Sequence, residues 1–282
     1  MRWLKTVCTI AGLDFRKWKS DCRVWVAFLL VLILIHSTTK QLGDIVAHTG
    51  VKSSPWIFPF LYMPYYNKLL FFFPLILIFS NAPFVDTNQF YVLYRSGRRK
   101  WCVGQALYII GTSVLYFAFI MLFSVVLNLR NIEFMKEWGK LFTTLAKTNM
   151  AQRYGLGFQP ELTVLTYFTP ASAMWFTFVH SVICGVILGF VIFLFNMKVR
   201  GGGTLLASLL LVLSAQAAKW DNLVKFSPVS WSTLNYIHLK PKDGLPAYSY
   251  VVAVYTGLAV VLLTLLLWTV RSYNFDREIK NE

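Results

Sequence analysis

Apolar residues fall into six runs separated by polar, often basic, segments. A helix rises 1.5 Å per residue, so about 20 apolar residues cross the roughly 30 Å hydrocarbon layer of a bilayer. The pattern predicts spans over about 24–39, 68–84, 102–127, 174–197, 204–218 and 247–270. Pro74 falls inside the second of these and predicts a kink there. The first 23 residues follow a different rule. Leu4, Val7, Cys8, Ala11 and Phe15 keep helical spacing among Arg2, Lys5, Arg16, Lys17, Lys19 and Arg23. A basic amphipathic helix of this kind, with Trp3 and Trp18, is expected to lie in the membrane interface. The expected fold is an all-α membrane protein. It comprises an interfacial amphipathic helix (1–23), a six-helix transmembrane domain (24–270) and a cytoplasmic tail (271–282), with a short cytoplasmic helix between helices 2 and 3.

The connections divide into two kinds. Residues 40–67 read as a polar, aromatic loop near the interface, residues 128–173 as a long connection with a helical stretch at 132–147, and residues 219–246 as a wet segment. Residues 1–23, 85–101, 198–203 and 271–282 are shorter and more basic, and they hold 15 of the 27 Lys and Arg residues. Their density of Lys and Arg is about twice that of the longer connections, which predicts that this side, with both termini, is cytoplasmic.

Composition agrees with the pattern. The 282 residues are 57% hydrophobic and only 14% charged, whereas a soluble domain is usually about 25% charged. The net charge of +15 belongs with cytoplasmic loops and headgroup contacts rather than nucleic acid, because no basic stretch of domain size lies outside the apolar runs. Cys8, Cys22, Cys102 and Cys184 form no CxxC pair, so neither a disulfide nor a zinc site is expected. The first 23 residues are too charged for the apolar region of a cleavable signal peptide.

Chemistry is sparse. The chain has no GxxxxGK[ST] phosphate loop, no HExxH and no GxSxG. No catalytic residues and no metal ligands are expected. His180 lies within a span and His36 near the end of one; a neutral, hydrogen-bonded role is expected for His180. An intramembrane enzyme would need convergent polar groups, and His180, Asn196, Ser214 and Gln216 show no catalytic spacing. The spans hold few carboxylates, which counts against an ion-coupled transporter or an acidic-ring cation channel.

Residues 86–100 carry the strongest signal. The segment is too polar to cross a membrane, yet Phe90, Tyr91, Val92, Leu93 and Tyr94 precede Arg95, Gly97, Arg98, Arg99 and Lys100. A short helix with apolar knobs and a basic end would make a docking surface for a cytoplasmic partner; a positive-inside anchor with aromatics at headgroup depth is the plainer alternative.

This layout resembles the membrane subunit of an ABC-2 type transporter, the permease of an ABC exporter. The resemblance rests on the basic N-terminal helix, the segment from Tyr94 to Trp101 between the second and third spans, the six spans, and the polar aromatic stretch from Trp220 to Tyr248 before the last. The acidic cluster usual at the start of the coupling segment is reduced here to Asp86, followed by Asn88 and Gln89. The resemblance implies a bacterial, multi-pass cell-membrane protein that is not itself an enzyme and holds no cofactor, with ATP and Mg on a separate ABC ATPase subunit. It implies a second permease copy, or a homologous permease, as a further partner, in contact with membrane lipids and with no nucleic acid. Phe90, Tyr91, Leu93, Tyr94, Arg95, Gly97, Arg98 and Arg99 would contact the ATPase. Tyr108, Tyr116, Phe119, Phe176, Phe178 and Tyr255 would line the path of a peptide or lipid-like cargo. An antimicrobial-peptide immunity or receptor protein without transport is the main alternative.

Overall fold

The computed structural model describes residues 2–84, 87–217, 219–220, 223–236 and 245–273, with the side chains of residues 87–90 excepted. The described residues form helices and connecting turns, with one isolated parallel bridge between Ser53 and Ile132 and no strand. The helices in chain order are α1 (Arg2–Lys17), α2 (Cys22–Thr39), α3 (Gln41–Thr49), α4 (Phe58–Leu61), α5 (Tyr65–Phe79), α6 (Thr87–Ser96), α7 (Arg98–Val126), α8 (Gly139–Lys147), α9 (Met150–Arg153), α10 (Leu162–Tyr167), α11 (Pro170–Asn196), α12 (Gly202–Ala217) and α13 (Tyr248–Ser272).

Each of the six apolar runs is a helix. Four are long and apolar enough to cross a membrane: the stretch Cys22–Thr49, which joins α2 and α3, together with α7, α11 and α13. α5 and α12 are apolar but only 15 and 16 residues long, or about 22–24 Å. These helices bury one face and turn large apolar side chains outward. Leu29 and Ile33 of α2, Leu115 and Leu122 of α7, Leu205 and Leu213 of α12, and Val260 and Trp268 of α13 are all exposed. An outward row of leucines on a helix packed along its other face suits lipid and not water. The protein is a membrane protein.

α11 is the most buried of the four long helices. Gly185 admits Leu75, Ser113 and Phe117, and Gly189 admits Ile109 and Phe79, so closely that a Cβ at Gly189 would lie 2.5 Å from Ile109 and 3.0 Å from Phe79. Small residues four apart let neighbouring apolar helices approach without a side chain between them. These contacts run α11 antiparallel to α7. α5 is also antiparallel to α7, with Phe71 beside Tyr116 and Phe79 beside Ile109. The six apolar helices thus alternate in direction between an elbow end, where α6 meets α7, and a cap end.

Several boundaries differ from the sequence expectation. The second run starts at Tyr65 and stops at Phe79, where Ser80 begins a turn. Pro74 lies within it and leaves the helix unbroken. The carbonyl of Phe71, within the turn before Pro74, accepts a hydrogen bond of 2.6 Å from the Tyr116 hydroxyl, which ties α5 to α7. Residues 40–67 are not a loop. Lys40 stays helical, α3 carries Leu42 and Ile45 inward, and Gly50 ends it at φ 66.

These residues pack with 128–169 into a cap that has its own aromatic core. Phe60 meets Trp138 and Phe142 at 5.1 and 5.2 Å between ring centroids. The cap is tied to the bundle by Asn128 Nδ2 to Thr39 Oγ1 at 3.0 Å and Asn67 Nδ2 to the Gly157 carbonyl at 2.9 Å. The helical stretch expected at 132–147 forms only from Gly139.

Residues 219–246 were expected to be wet. The described part is instead three short 3-10 turns, Val224–Phe226, Pro228–Ser232 and Leu234–Tyr236, with Val229, Ser230, Trp231, Ser232 and Thr233 buried. Their hydroxyls bond back to carbonyls: Ser227 and Ser230 both donate to Ser214, at 2.6 and 3.0 Å. Buried polar groups satisfied in this way no longer need water.

Candidate functional site

α1 forms as expected, but its buried face is Val7, Ile10, Ala11 and Asp14. Leu4 and Cys8, placed by their spacing on the apolar stripe, are exposed. The face is set by α7, which runs parallel to it: Gly104 receives Val7 and Ile10, and Gly111 receives Phe15. Asp14 can sit there because Lys17 pairs with it at 2.9 Å. Further on, Trp18 Nε1 donates to Tyr108 Oη at 2.8 Å, and Lys17 Nζ donates to the carbonyl of Phe84 at 3.2 Å. Phe84 is held at φ 58 with its ring against Tyr108. α1 therefore ties the entry of α6 to the shaft of α7.

The α6–α7 elbow follows from composition. Gly97 adopts φ 81, a conformation that glycine takes without penalty, and the chain re-enters a helix at Arg98. Tyr91 and Tyr94 project outward, 73% and 94% exposed, and Arg95, Gly97, Arg98 and Arg99 are also exposed. Val92 and Leu93 turn inward against the core. Leu93 is thus half-buried, unlike Tyr91 and Tyr94. The Phe90 side chain, Val85 and Asp86 lie outside the described residues. The Arg98 guanidinium donates to the carbonyl of Arg271 at the end of α13, so the elbow is anchored on two helices besides its own.

Five of the six residues expected along a substrate path fall into two groups, and Phe178 lies apart from both. Tyr108, Tyr116 and Phe119 lie where α7 meets α1 and α2; Phe119 packs on Phe28 at 4.7 Å. Phe176 and Tyr255 gather around His180 at the cap end. The His180 ring stacks on Phe176 at 4.0 Å, its Nδ1 lies 2.8 Å from the Phe176 carbonyl, and Tyr255 Oη donates to the Pro228 carbonyl at 2.6 Å. Phe178 pairs instead with the exposed Trp175. Tyr116 ties α7 to α5. Tyr116→Phe is expected to remove the buried bond to the Phe71 carbonyl, at about 1–2 kcal/mol. A fall of about 3–6 °C in the thermal midpoint of the detergent-purified protein would report it.

The polar groups named for an intramembrane enzyme do not converge. His180 and Asn196 are sixteen positions apart on one helix, or about 24 Å. Asn196 is a clasp: its Nδ2 donates to the carbonyls of Ser80 and Ala82 at 3.2 and 2.9 Å, and its Oδ1 accepts from Gly203 N at 2.8 Å.

Lys68 went unnoticed in the sequence beyond marking the start of a run. It is 1% exposed, donates to Thr233 Oγ1 at 3.1 Å and the Ser230 carbonyl at 3.4 Å, and lies 4.7 Å from the centre of the Tyr236 ring. A cation at the head of an apolar run was the available signal. It fastens the 3-10 turns to α5.

A broad cleft of about 1400 Å³ opens in the cap, lined by Lys52, Lys136, Lys140, Lys147, Glu133 and Glu137 together with Trp138 and Tyr167. Comparison of the chain with protein-family models, curated proteins and solved structures finds no match.

Proposed function

We propose that this chain is the permease subunit of an ATP-driven ABC exporter in a bacterial cell membrane, working as a pair with a second permease and with a separate ATPase subunit that carries ATP and Mg. All six apolar helices cross the bilayer in this reading, α5 and α12 as short spans completed by their flanking turns. The elbow end, with both termini, faces the cytoplasm.

One observation carries the proposal: a helix with exposed aromatic and basic side chains, α6, joined through Gly97 to the end of a long apolar helix. A motor acting on a membrane domain needs a contact outside the bilayer and a stiff shaft into it. Tyr91 and Tyr94 are the contact, with Arg95 placed to meet acidic groups on the partner. α7 is the shaft, about 43 Å long, braced by α1 through Gly104 and Gly111 and by α13 through Arg98. The cargo is peptide or lipid-like, in keeping with the apolar and aromatic faces of α7, α11 and α13.

The test is co-expression with each ABC ATPase subunit found in the genome that encodes this chain. A stable complex whose ATP hydrolysis depends on the permease is expected. Failure of the two chains to co-purify from mild detergent would remove the reading.

The cap cleft favours a second reading, a receptor or immunity protein that holds an antimicrobial peptide at the cap face. Resistance that persists with a hydrolysis-deficient ATPase would select it.

A further inference from the structure

A smaller pocket of about 540 Å³ lies behind the elbow, assembled from three stretches far apart in sequence: Trp3 of α1, Ser96 to Lys100 at the α6–α7 turn, and Arg271 at the end of α13. Four of its lining residues, Arg98, Arg99, Lys100 and Arg271, are basic, and no acidic residue lines it among the described residues. Arg98 is engaged with the Arg271 carbonyl and holds the walls together. Arg99, Lys100 and Arg271 supply the remaining positive charge. The floor is the start of α7, a 29-residue helix whose N-cap is Gly97, with no side chain to accept from the first-turn N–H groups. A helix N-terminus presents such N–H groups and the positive end of its dipole to an anion.

Its depth identifies the kind of anion. The pocket sits where the apolar runs of α7 and α13 end, at Trp101 and Val270. The Trp3 indole is 45% exposed beside it, as tryptophans at headgroup level are. Along the same two helices, Leu107 and Ile110 on one and Leu265 and Trp268 on the other are exposed apolar surface. A basic recess at the ends of two helices that carry exposed apolar side chains further along suits a phosphate with acyl chains better than a soluble one.

We infer that the recess formed by Trp3, Arg99, Lys100 and Arg271 binds the phosphodiester headgroup of an anionic membrane lipid. The lipid phosphate neutralises a cluster of like charges at the base of the lever and bridges α7 to α13. The site requires only that α7 and α13 cross a bilayer, and it stands whether or not a motor docks on α6.

Native mass spectrometry of the full chain, released from detergent after incubation with phosphatidylglycerol or with phosphatidylcholine of the same acyl chains, tests this. Phosphatidylglycerol adducts are expected to be retained at least tenfold more strongly. The variant Arg99→Gln/Lys100→Gln/Arg271→Gln is expected to lose that preference, while Lys19→Gln/Lys198→Gln/Arg200→Gln, which removes the same charge from exposed sites outside the recess, keeps it. Should the triple variant fail to fold, Arg99→Gln alone, at an exposed position, is expected to lower retention at least threefold. Inorganic phosphate at 10 mM (about a hundredfold excess over lipid) is added in a separate arm. Equal loss in both charge variants would reduce the effect to diffuse attraction and overturn the site. Displacement of the lipid by inorganic phosphate, or no preference between the two lipids, would also overturn it. None of these outcomes bears on ATPase binding, which is measured separately.

Discussion

Gly203→Val is expected to keep the protein from reaching a stable fold. Gly203 is the second residue of α12, and a Cβ there would run into the backbone of α11: the carbonyl oxygen of Ile192, its Cα at 2.8 Å, and Asn196 Oδ1 at 2.8 Å. Backbone cannot rotate aside as a side chain can, so α12 must move off α11. That movement breaks the Gly203 N to Asn196 Oδ1 bond and frees Asn196 from the Ser80 and Ala82 carbonyls, unpicking the clasp that holds the ends of α5, α11 and α12 together. Overpacking costs about 1–3 kcal/mol, and each buried polar group left unpaired about 1–3 more. With two such groups the total is about 3–9 kcal/mol, comparable with the whole net stability of many domains. The measurement is the monodisperse peak on size-exclusion chromatography together with the thermal midpoint, which should fall by more than about 10 °C if a folded fraction survives. Gly257→Val on α13 is the control, since nothing lies within 4 Å of its Cβ position. A wild-type midpoint for Gly203→Val would show that α11 and α12 do not pack as described.

Replacing the knobs of the elbow, Tyr91→Ala/Tyr94→Ala/Arg95→Ala, is expected to leave the fold intact and abolish capture of the ATPase. The three side chains are exposed, so their removal exposes no core and orphans no buried partner. Surface changes of this kind stay within about 0.5 kcal/mol each. At an interface, tyrosine and arginine are the residues whose truncation most often costs about 2 kcal/mol or more. Two such losses weaken binding by more than about a hundredfold. The ATP hydrolysis that the proposed function makes dependent on this chain should then fall to the level of the isolated ATPase, with the thermal midpoint of this chain unchanged within about 2 °C. Leu93→Asp makes the opposite trade. Its side chain packs inward, so the substitution should loosen α6 on α7 and lower the midpoint. A triple variant that still binds the ATPase and still stimulates hydrolysis would deny α6 its role.

The six apolar runs, the basic first helix and the glycine turn at Gly97 were all legible in the sequence. Each is a local property: a periodicity, a run of low charge, or one residue that tolerates positive φ. What covers each face was not legible. Val7, Ile10 and Asp14 are buried because Gly104 and Gly111 open a groove on α7, about a hundred residues away. Residues 219–246 read as wet because serine and threonine are hydropathically neutral. Ser227, Ser230 and Thr233 among them are buried, because their hydroxyls find the carbonyl of Ser214 and the side chain of Lys68. Tyr116, which the resemblance offers as a path residue, donates to the carbonyl of Phe71 on another helix, a contact no local pattern signals. Local patterning decides which positions avoid water, since transfer of a side chain depends mainly on that side chain. The choice of neighbour, and with it the clasp at Asn196, the cap core around Phe60 and the recess behind the elbow, comes from contacts between distant segments, and only tertiary packing decides those.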